Sequence, residues 1–455
     1  MKTRALALYR RIKASYWFVP GTIVSGAILL AFGSLQLDVI LDKEVFTQIS
    51  WFGSGSPEGA RAILTLVGGS MLSVAGIVFS ITIAAIVFAS GQYGPHIIPE
   101  FMRDKSNQAV LGIFIATFVY CLLALYRVHA GETTFVPHLT VIIALFFAGA
   151  SLIMFIYFIH HILETLHVSN VIARLGRDLI DNIRSRFPEE LGEGNGGSAA
   201  PELPEGFLQD AVPVLANGTG YIYTLSAEAI FKTAKDKGLI VRVTRRPGDF
   251  VADDRPLAWI WPPENASTEA LVAIRSCYAW GAAKTPDQDV GFLIDQLTGI
   301  TARALSPGIN DPYTATDTIH WMGAALTAAG RGKSPAAMRR DEEGHIRVIA
   351  RPLDFEEIAS LIFDRIRPYV ARDRNASLST LTVLANVLFD VDDPARKAVV
   401  LHHARALEKA AMVAMISEDD RREIAARVDD LEAVLRNGLS RFRAGERYKW
   451  MEGWA

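Results

Sequence analysis

The chain has 455 residues, half of them apolar (50%), with mean hydropathy +0.23 and a formal net charge of −3. That near-neutral charge supplies no basic surface, so nucleic acid is not expected as a partner. The two cysteines, Cys121 and Cys277, sit in no CxxC or Cys/His spacing, so neither a disulfide framework nor a zinc centre is expected, and no cofactor is implied.

The chain opens on a basic leader, Lys2, Arg4, Arg10, Arg11 and Lys13. Four apolar runs follow, at 16–37, 62–89, 108–126 and 139–159. Crossing the roughly 30 Å hydrocarbon core takes about 20 helical residues, and each run is long enough. In lipid every backbone amide must be satisfied within its own segment, so each run is read as a helix. The first is too long for a signal-peptide core and lacks a small-x-small cleavage site, so it is expected to be retained. Lys and Arg mark the cytoplasmic flanks. They are dense in the leader, at Arg103 and Lys105, and at Arg174, Arg177, Arg184 and Arg186, and sparse at Lys43, Arg61 and Arg127. Both termini are therefore expected in the cytoplasm.

In the second run Ser70, Ser73, Gly76, Ser80 and Ala84 recur at three- and four-residue spacing and share one helical stripe. Such stripes let membrane helices approach closely. The functional alternative is that Ser73, Ser80 and Thr82 line a polar path. No charged residue lies inside these runs, which removes the usual signal of a proton relay or charged-substrate site.

At the end of the fourth run, His160, Glu164 and His167 fall at i, i+4 and i+7. They are a weak candidate for a divalent metal, since a further ligand is missing from the local pattern; an interfacial polar cluster is the expected reading. Residues 187–201, rich in Gly, Pro and acid, read as a flexible linker. Short alternating apolar runs between 211 and 261, with a Pro247-Gly248 turn and a helix inserted at 227–237, predict a small β-barrel or sandwich. The Pro-Gly-Asp-Phe-Val run there resembles a lipoyl-like barrel-sandwich fold. No acceptor lysine sits in a Met-Lys context, so no carrier role follows.

From 289 the pattern turns helical. Ser306, Gly308, Asn310, Asp311 and Thr314 form a loop that is either a helix corner, with Asp311 as N-cap and Pro312 at the first helical position, or a ligand pocket using the loop amides. The expected architecture is an α-helical membrane protein: a four-helix transmembrane bundle (1–170), a helical extension and linker (171–204), and a cytoplasmic α+β domain made of a small β part (205–265) and a helical bundle (266–455).

The run Ser306-Pro-Gly-Ile-Asn-Asp-Pro-Tyr-Thr-Ala315 resembles the signature of a bacterial family of predicted membrane proteins, domain of unknown function 2254. Gln288-Asp289, Asp295, the Pro-Gly-Asp-Phe-Val run and Phe79-Ser80 match the same pattern, while Ala282-Ala283-Lys284-Thr285 and Thr298-Gly299 depart from it. The resemblance implies an inner-membrane location and no established activity. No GxSxG elbow, HExxH or P-loop is present, so catalysis is not expected. Four spans without intramembrane charge fit an oligomeric channel-like protein, with the lipid bilayer and further copies of the chain as partners. The alternative is a membrane-tethered sensor or scaffold whose soluble domain binds a small ligand or protein.

Overall fold

The structure is a computed structural model that describes residues 15–40, 56–94, 101–102, 104–128, 136–186, 203–286, 288–333, 336–437 and 450. The basic leader, Lys43, Arg103 and the 187–201 linker lie outside them. The chain divides into two compact units, Met1–His167 and Val168–Ala455.

The first unit holds four helices long and apolar enough to cross a membrane: α1 (Phe18–Ile40), α2 (Pro57–Tyr93), α3 (Lys105–Arg127) and α4 (His138–Leu166). Two start on side-chain caps. The Ser56 hydroxyl accepts from the Gly59 amide ahead of α2, with Pro57 at the first helical position, and Asp104 accepts from the Ser106 amide ahead of α3. At about 1.5 Å per residue the 37-residue α2 runs to about 55 Å, so it must tilt in, or project from, a hydrocarbon core of roughly 30 Å.

Helix α3 is the hub, packed against α1, α2 and α4. Small side chains make this closeness possible. A Cβ on Gly112 of α3 would lie 2.9 Å from the Pro20 Cα of α1, so only glycine fits there. Inside the unit, small and polar groups, among them Ala31, Ser34, Ala75, Thr117, Thr140, Ala144 and Ser151, pack beside Leu64, Phe114, Tyr120 and Phe158, and further large apolar groups face outward. Leu29, Leu66, Val87, Phe146 and Ile153 are each between 66% and 74% exposed. Water would penalise that surface by about 25 cal/mol per Å², whereas lipid tails accept it.

The second unit begins with α5 (Val168–Arg186), whose Ile172, Leu175, Leu179 and Ile183 bury one face. A short turn α6 (Phe207–Asp210) precedes β1 (Val212–Leu215), β2 (Gly220–Leu225), α7 (Ala227–Asp236), β3 (Ile240–Val243), β4 (Phe250–Val251), β5 (Pro256–Trp261), α8 (Thr268–Arg275) and β6 (Tyr278–Gly281). Then come α9 (Val290–Ala304), α10 (Pro312–Arg331), β7 (Met338–Arg340), β8 (Ile346–Ala350), α11 (Phe355–Val370), α12 (Arg374–Asp390), α13 (Pro394–Ala414) and α14 (Glu418–Asn437).

The strands form a five-stranded sheet, β1-β5-β3-β8-β7, and a three-stranded one, β4-β2-β6. Pairing is antiparallel except between β3 and β8, where Val241 stands opposite Val348. Strands β6, β7 and β8 lie in the stretch that the sequence reads as helical. Five consecutive helices, α9 to α13, start on an aspartate cap: Asp289, Asp311, Asp354, Asp373 and Asp393.

One buried group ties this unit's stability to pH. His403 of α13 is 2% exposed, tilted against Phe363 and 3.6 Å from Asp364. Burial pushes its pKa down to about 4, against the opposing pull of Asp364. The unfolded chain takes up this proton near pH 6.5 and the folded one near 4, so this contribution to stability is complete above 6.5 and is lost as pH falls toward 4. Thermal unfolding of the full chain is expected to show a melting temperature that falls through that window, and His403→Gln to flatten the fall; an unchanged slope in the variant would refute the assignment.

Candidate functional site

Ser73 and Ser80 of α2 are exposed, and each hydroxyl donates back to its own helix, to the Gly69 carbonyl at 3.1 Å and the Gly76 carbonyl at 2.9 Å. Thr82 is different: it is buried inside the unit and donates to the Val78 carbonyl at 2.8 Å. The three residues therefore do not share a face. The small stripe Ser70, Ser73, Gly76, Ser80 and Ala84 is exposed along its whole length, while Leu64, Ala75, Val78, Thr82, Ala85 and Ala89 form the buried side of α2.

At the end of α4 the structure does not assemble the histidine trio. The helix stops at Leu166, and His167 is its C-cap with extended backbone, so it leaves the face that His160 and Glu164 share. Those two make an exposed contact of 3.2 Å. The neighbouring His161, passed over in the sequence, is the residue that turns inward. Its Nε2 lies 2.7 Å from Asp104 Oδ2, and its ring stacks on Tyr157 at 5.4 Å. Tyr157 in turn donates to the Ser106 hydroxyl at 3.1 Å. Asp104 thus uses one oxygen to cap α3 and the other to hold α4.

A second polar network sits at the opposite end of the same helices. Helix α1 runs past the end of its expected apolar stretch to include Asp38, so a charge does lie on a membrane-length helix, at its last turn. Asp38 accepts from the Leu139 amide at 2.8 Å, the Thr140 amide at 2.9 Å and the Thr140 hydroxyl at 2.6 Å. It caps α4, whose own N-cap, Pro137, supplies no side-chain bond. The Thr140 hydroxyl also stands 3.1 Å from Ser34, whose hydroxyl is 2.9 Å from the buried Tyr120 phenol. Arg61 of α2 donates to the Val128 carbonyl at the C-cap of α3 at 3.1 Å. An anion thus faces one helix N-terminus and a cation one helix C-terminus, the signs that the helix dipole favours.

In the second unit the 306–315 loop is a corner. The Ser306 hydroxyl donates to the Arg303 carbonyl at 2.6 Å, the Asn310 amide to the Ser306 carbonyl at 2.9 Å, and the Asp311 amide to the Ala304 carbonyl at 2.8 Å. Asp311 then accepts from the Thr314 amide at 3.2 Å and the Thr314 hydroxyl at 2.6 Å. Asn310 takes φ +50°, a left-handed conformation that asparagine tolerates. Gly308 stands in open space. The Ser306 hydroxyl, the Asp311 carboxylate and the Thr314 hydroxyl all take part in the turn, while Tyr313 is 81% exposed.

Three other segments that carry the resemblance, the Pro-Gly-Asp-Phe-Val run, Gln288-Asp289 and Asp295, meet in a polar seam between the β strands and the helices, while Phe79 and Ser80 lie on α2. Gly248, at φ +97°, brings its backbone so close to Asp289 that a Cβ would lie 2.6 Å from the carboxylate. Gln288 accepts from the Leu225 amide at 2.9 Å, and Asp295 pairs with Arg365 and, at 3.5 Å, with Lys284. Arg246 grips Glu357 and holds its carboxyl below the usual range through their hydrogen bond. Asp341, Glu343 and His345, grouped in the β7–β8 turn, have metal-ligand chemistry. Asp341, however, is already engaged by Arg347 at 2.7 Å and the His345 amide at 2.8 Å. Burial would raise its pKa, yet those bonds hold it at about 2.

A family model described as "Predicted membrane protein (DUF2254)" matches residues 13–386, ending inside α12, so that α13 and α14 lie beyond it. The chain is similar to uncharacterized protein Rv1290c of Mycobacterium tuberculosis and uncharacterized protein Mb1321c of Mycobacterium bovis. Each is 28% identical over 433 residues, which is 92% of this chain and 81% of the relative. No solved structure matches the chain at a significant level.

The corner geometry has a measurable consequence. Asp311→Ala is expected to cost roughly 1 kcal/mol, the usual worth of an N-cap, and Asp311→Asn less than half of that. Thermal unfolding of the full-length variants measures both. Full stability in the alanine variant together with loss of a co-purifying small molecule would instead make the loop a ligand pocket.

Proposed function

The chain belongs to the family of predicted membrane proteins with domain of unknown function 2254, and on that premise we propose that it is an oligomeric, channel-like protein of the bacterial inner membrane. The second unit is then a cytoplasmic regulatory domain, with both termini on that side. Orientation is supported by the Lys and Arg residues, which are dense in the leader and after the fourth helix and sparse in the opposite loops.

The observation that carries the assembly reading is the direction of the small-residue stripe. Ser70, Ser73, Gly76, Ser80 and Ala84 all face away from their own bundle. The outward surface of α2 is otherwise bulky, with Leu66, Leu72, Ile77, Phe79, Ile83 and Val87 exposed, Leu66 and Val87 beyond the two ends of the stripe and Ile77 beside Ser73 and Ser80. Small residues on an outward face admit a neighbouring helix at close backbone distance, and lipid supplies no hydrophobic force to do the same work. Back-bonding of Ser73 and Ser80 satisfies their protons and leaves oxygen lone pairs outward. Around a common axis in an oligomer, those oxygens line a polar path of the kind that channels use. Thr82, buried within the subunit, is not part of it.

Two measurements on purified protein test this. Native mass analysis in detergent is expected to give a multimer, and liposomes are expected to pass ions at a rate that Ser80→Leu lowers by about tenfold or more. A monomer in detergent together with silent liposomes would overturn the reading.

A further inference from the structure

We propose that a groove on the outer face of α1 holds one acyl chain of an anionic phospholipid, selected by the charge of the basic leader. The groove has a volume of about 560 Å³ and is lined by Trp17, Phe18, Gly21, Ser25, Gly26 and Leu29, with Thr22 at its edge. Glycine creates it. A Cβ at position 21 or 26 would meet nothing within 4 Å among the described residues. Trp17, 62% exposed, and Leu29, 74% exposed, stand at the two ends. Pro20, Ala27 and Ala31, on the other side of the helix, are the residues buried in the bundle. The subunit's own packing therefore gives no reason for glycine at 21 and 26.

The walls suit hydrocarbon. The Thr22 and Ser25 hydroxyls donate to the Val19 and Gly21 carbonyls of their own helix, each at 2.8 Å, so their protons are already satisfied. Length favours a lipid tail over a neighbouring helix. From 17 to 29 is twelve steps of about 1.5 Å, or roughly 18 Å, little more than half of a hydrocarbon core of roughly 30 Å. That is the depth of one leaflet. A helix of a second copy would cross both leaflets and meet Phe32, Leu37 and Ile40, which project from α1 beyond the groove at 55%, 50% and 76% exposure.

Charge selects the headgroup. An exposed tryptophan at a helix end settles at headgroup level, and Trp17 holds that place. Five cations precede it, Lys2, Arg4, Arg10, Arg11 and Lys13, and the first acid of the chain is Asp38, near the far end of α1. Lys13 is four positions before Trp17, so the chain cannot place it more than about 14 Å away. Asp104, whose field reaches Tyr16, is already engaged by the Ser106 amide and His161. A phosphodiester beside Trp17 thus meets a helix and a leader whose charges are all positive, the arrangement that attracts anionic lipid. Lipid binding here needs α1 in a bilayer and is independent of whether the chain conducts or assembles.

Native mass spectrometry of the full-length protein, titrated in detergent with phosphatidylglycerol or with phosphatidylcholine of the same acyl chains, tests it. Phosphatidylglycerol is expected to be retained about tenfold better, the scale of one or two favourable charge contacts. Gly21→Leu with Gly26→Leu fills the groove where space is open, and is expected to lower that retention about tenfold. Its melting temperature is expected to hold or rise, since glycine inside a helix is unfavourable. Arg10→Gln, Arg11→Gln and Lys13→Gln together are expected to erase the preference between the two lipids. Equal retention of both lipids by the wild type would overturn the proposal, even if the leucine variant failed to fold. So would a leader variant that keeps the full preference, or a folded leucine variant that binds phosphatidylglycerol like the wild type. A leucine variant that changes the oligomer's mass while its lipid retention stays intact would make the groove a contact between copies, and would overturn it too.

Discussion

Inside a bilayer a backbone or side-chain polar group has no water to turn to, and in this protein the ends of the membrane-length helices are where that constraint bites. Helix α4 starts at Pro137, which has no side chain able to cap it. The missing acceptor comes from Asp38, on a different helix, which receives the Leu139 and Thr140 amides and the Thr140 hydroxyl. Arg61 closes the C-terminal end of α3 in the same borrowed manner. At the other end Asp104 caps α3 and holds His161 of α4. The charged groups that grip across helices thus sit at helix ends, where the macrodipole favours them, while hydroxyls such as Thr117 and Ser151 make the contacts in the apolar middle.

This interior use of polarity shapes the exterior. Hydroxyls and small residues have gone inward to let α1, α2 and α4 close on α3, so the outward surface consists largely of big apolar side chains. The α2 stripe departs from this, as do Gly21, Ser25, Gly26 and Gly33 of α1: these small residues are exposed. That contrast gives the assembly reading its physical content. In the second unit the capping is local, with an aspartate beside each of five successive helices.

The four membrane-length helices were legible because length and hydropathy are local properties. The run ending at 37 stopped one residue short of Asp38 because a hydropathy scan breaks at the first charge, and the amides that accommodate that charge lie 101 and 102 positions away. Asp311-Pro312 announced the helix corner for the opposite reason, since a cap and its amides are neighbours in sequence. Strands β7 and β8 carried no readable signal. Met-Arg-Arg and Ile-Arg-Val-Ile-Ala are short and charged, and β8 enters the sheet by pairing in parallel with β3, more than a hundred residues earlier. The small stripe was legible as a stripe, but its direction was not, because periodicity names a face without saying what that face meets.

A carboxylate from one membrane-length helix holds the start of another. A double-mutant cycle between Asp38→Ala and Thr140→Val, read as unfolding free energy of the full-length protein in lipid, tests it most directly. A coupling of about 1 kcal/mol is expected, with Asp38→Ala the more damaging single change because the Leu139 and Thr140 amides lose their acceptor. Strict additivity, with Asp38→Ala as stable as the wild type, would contradict it.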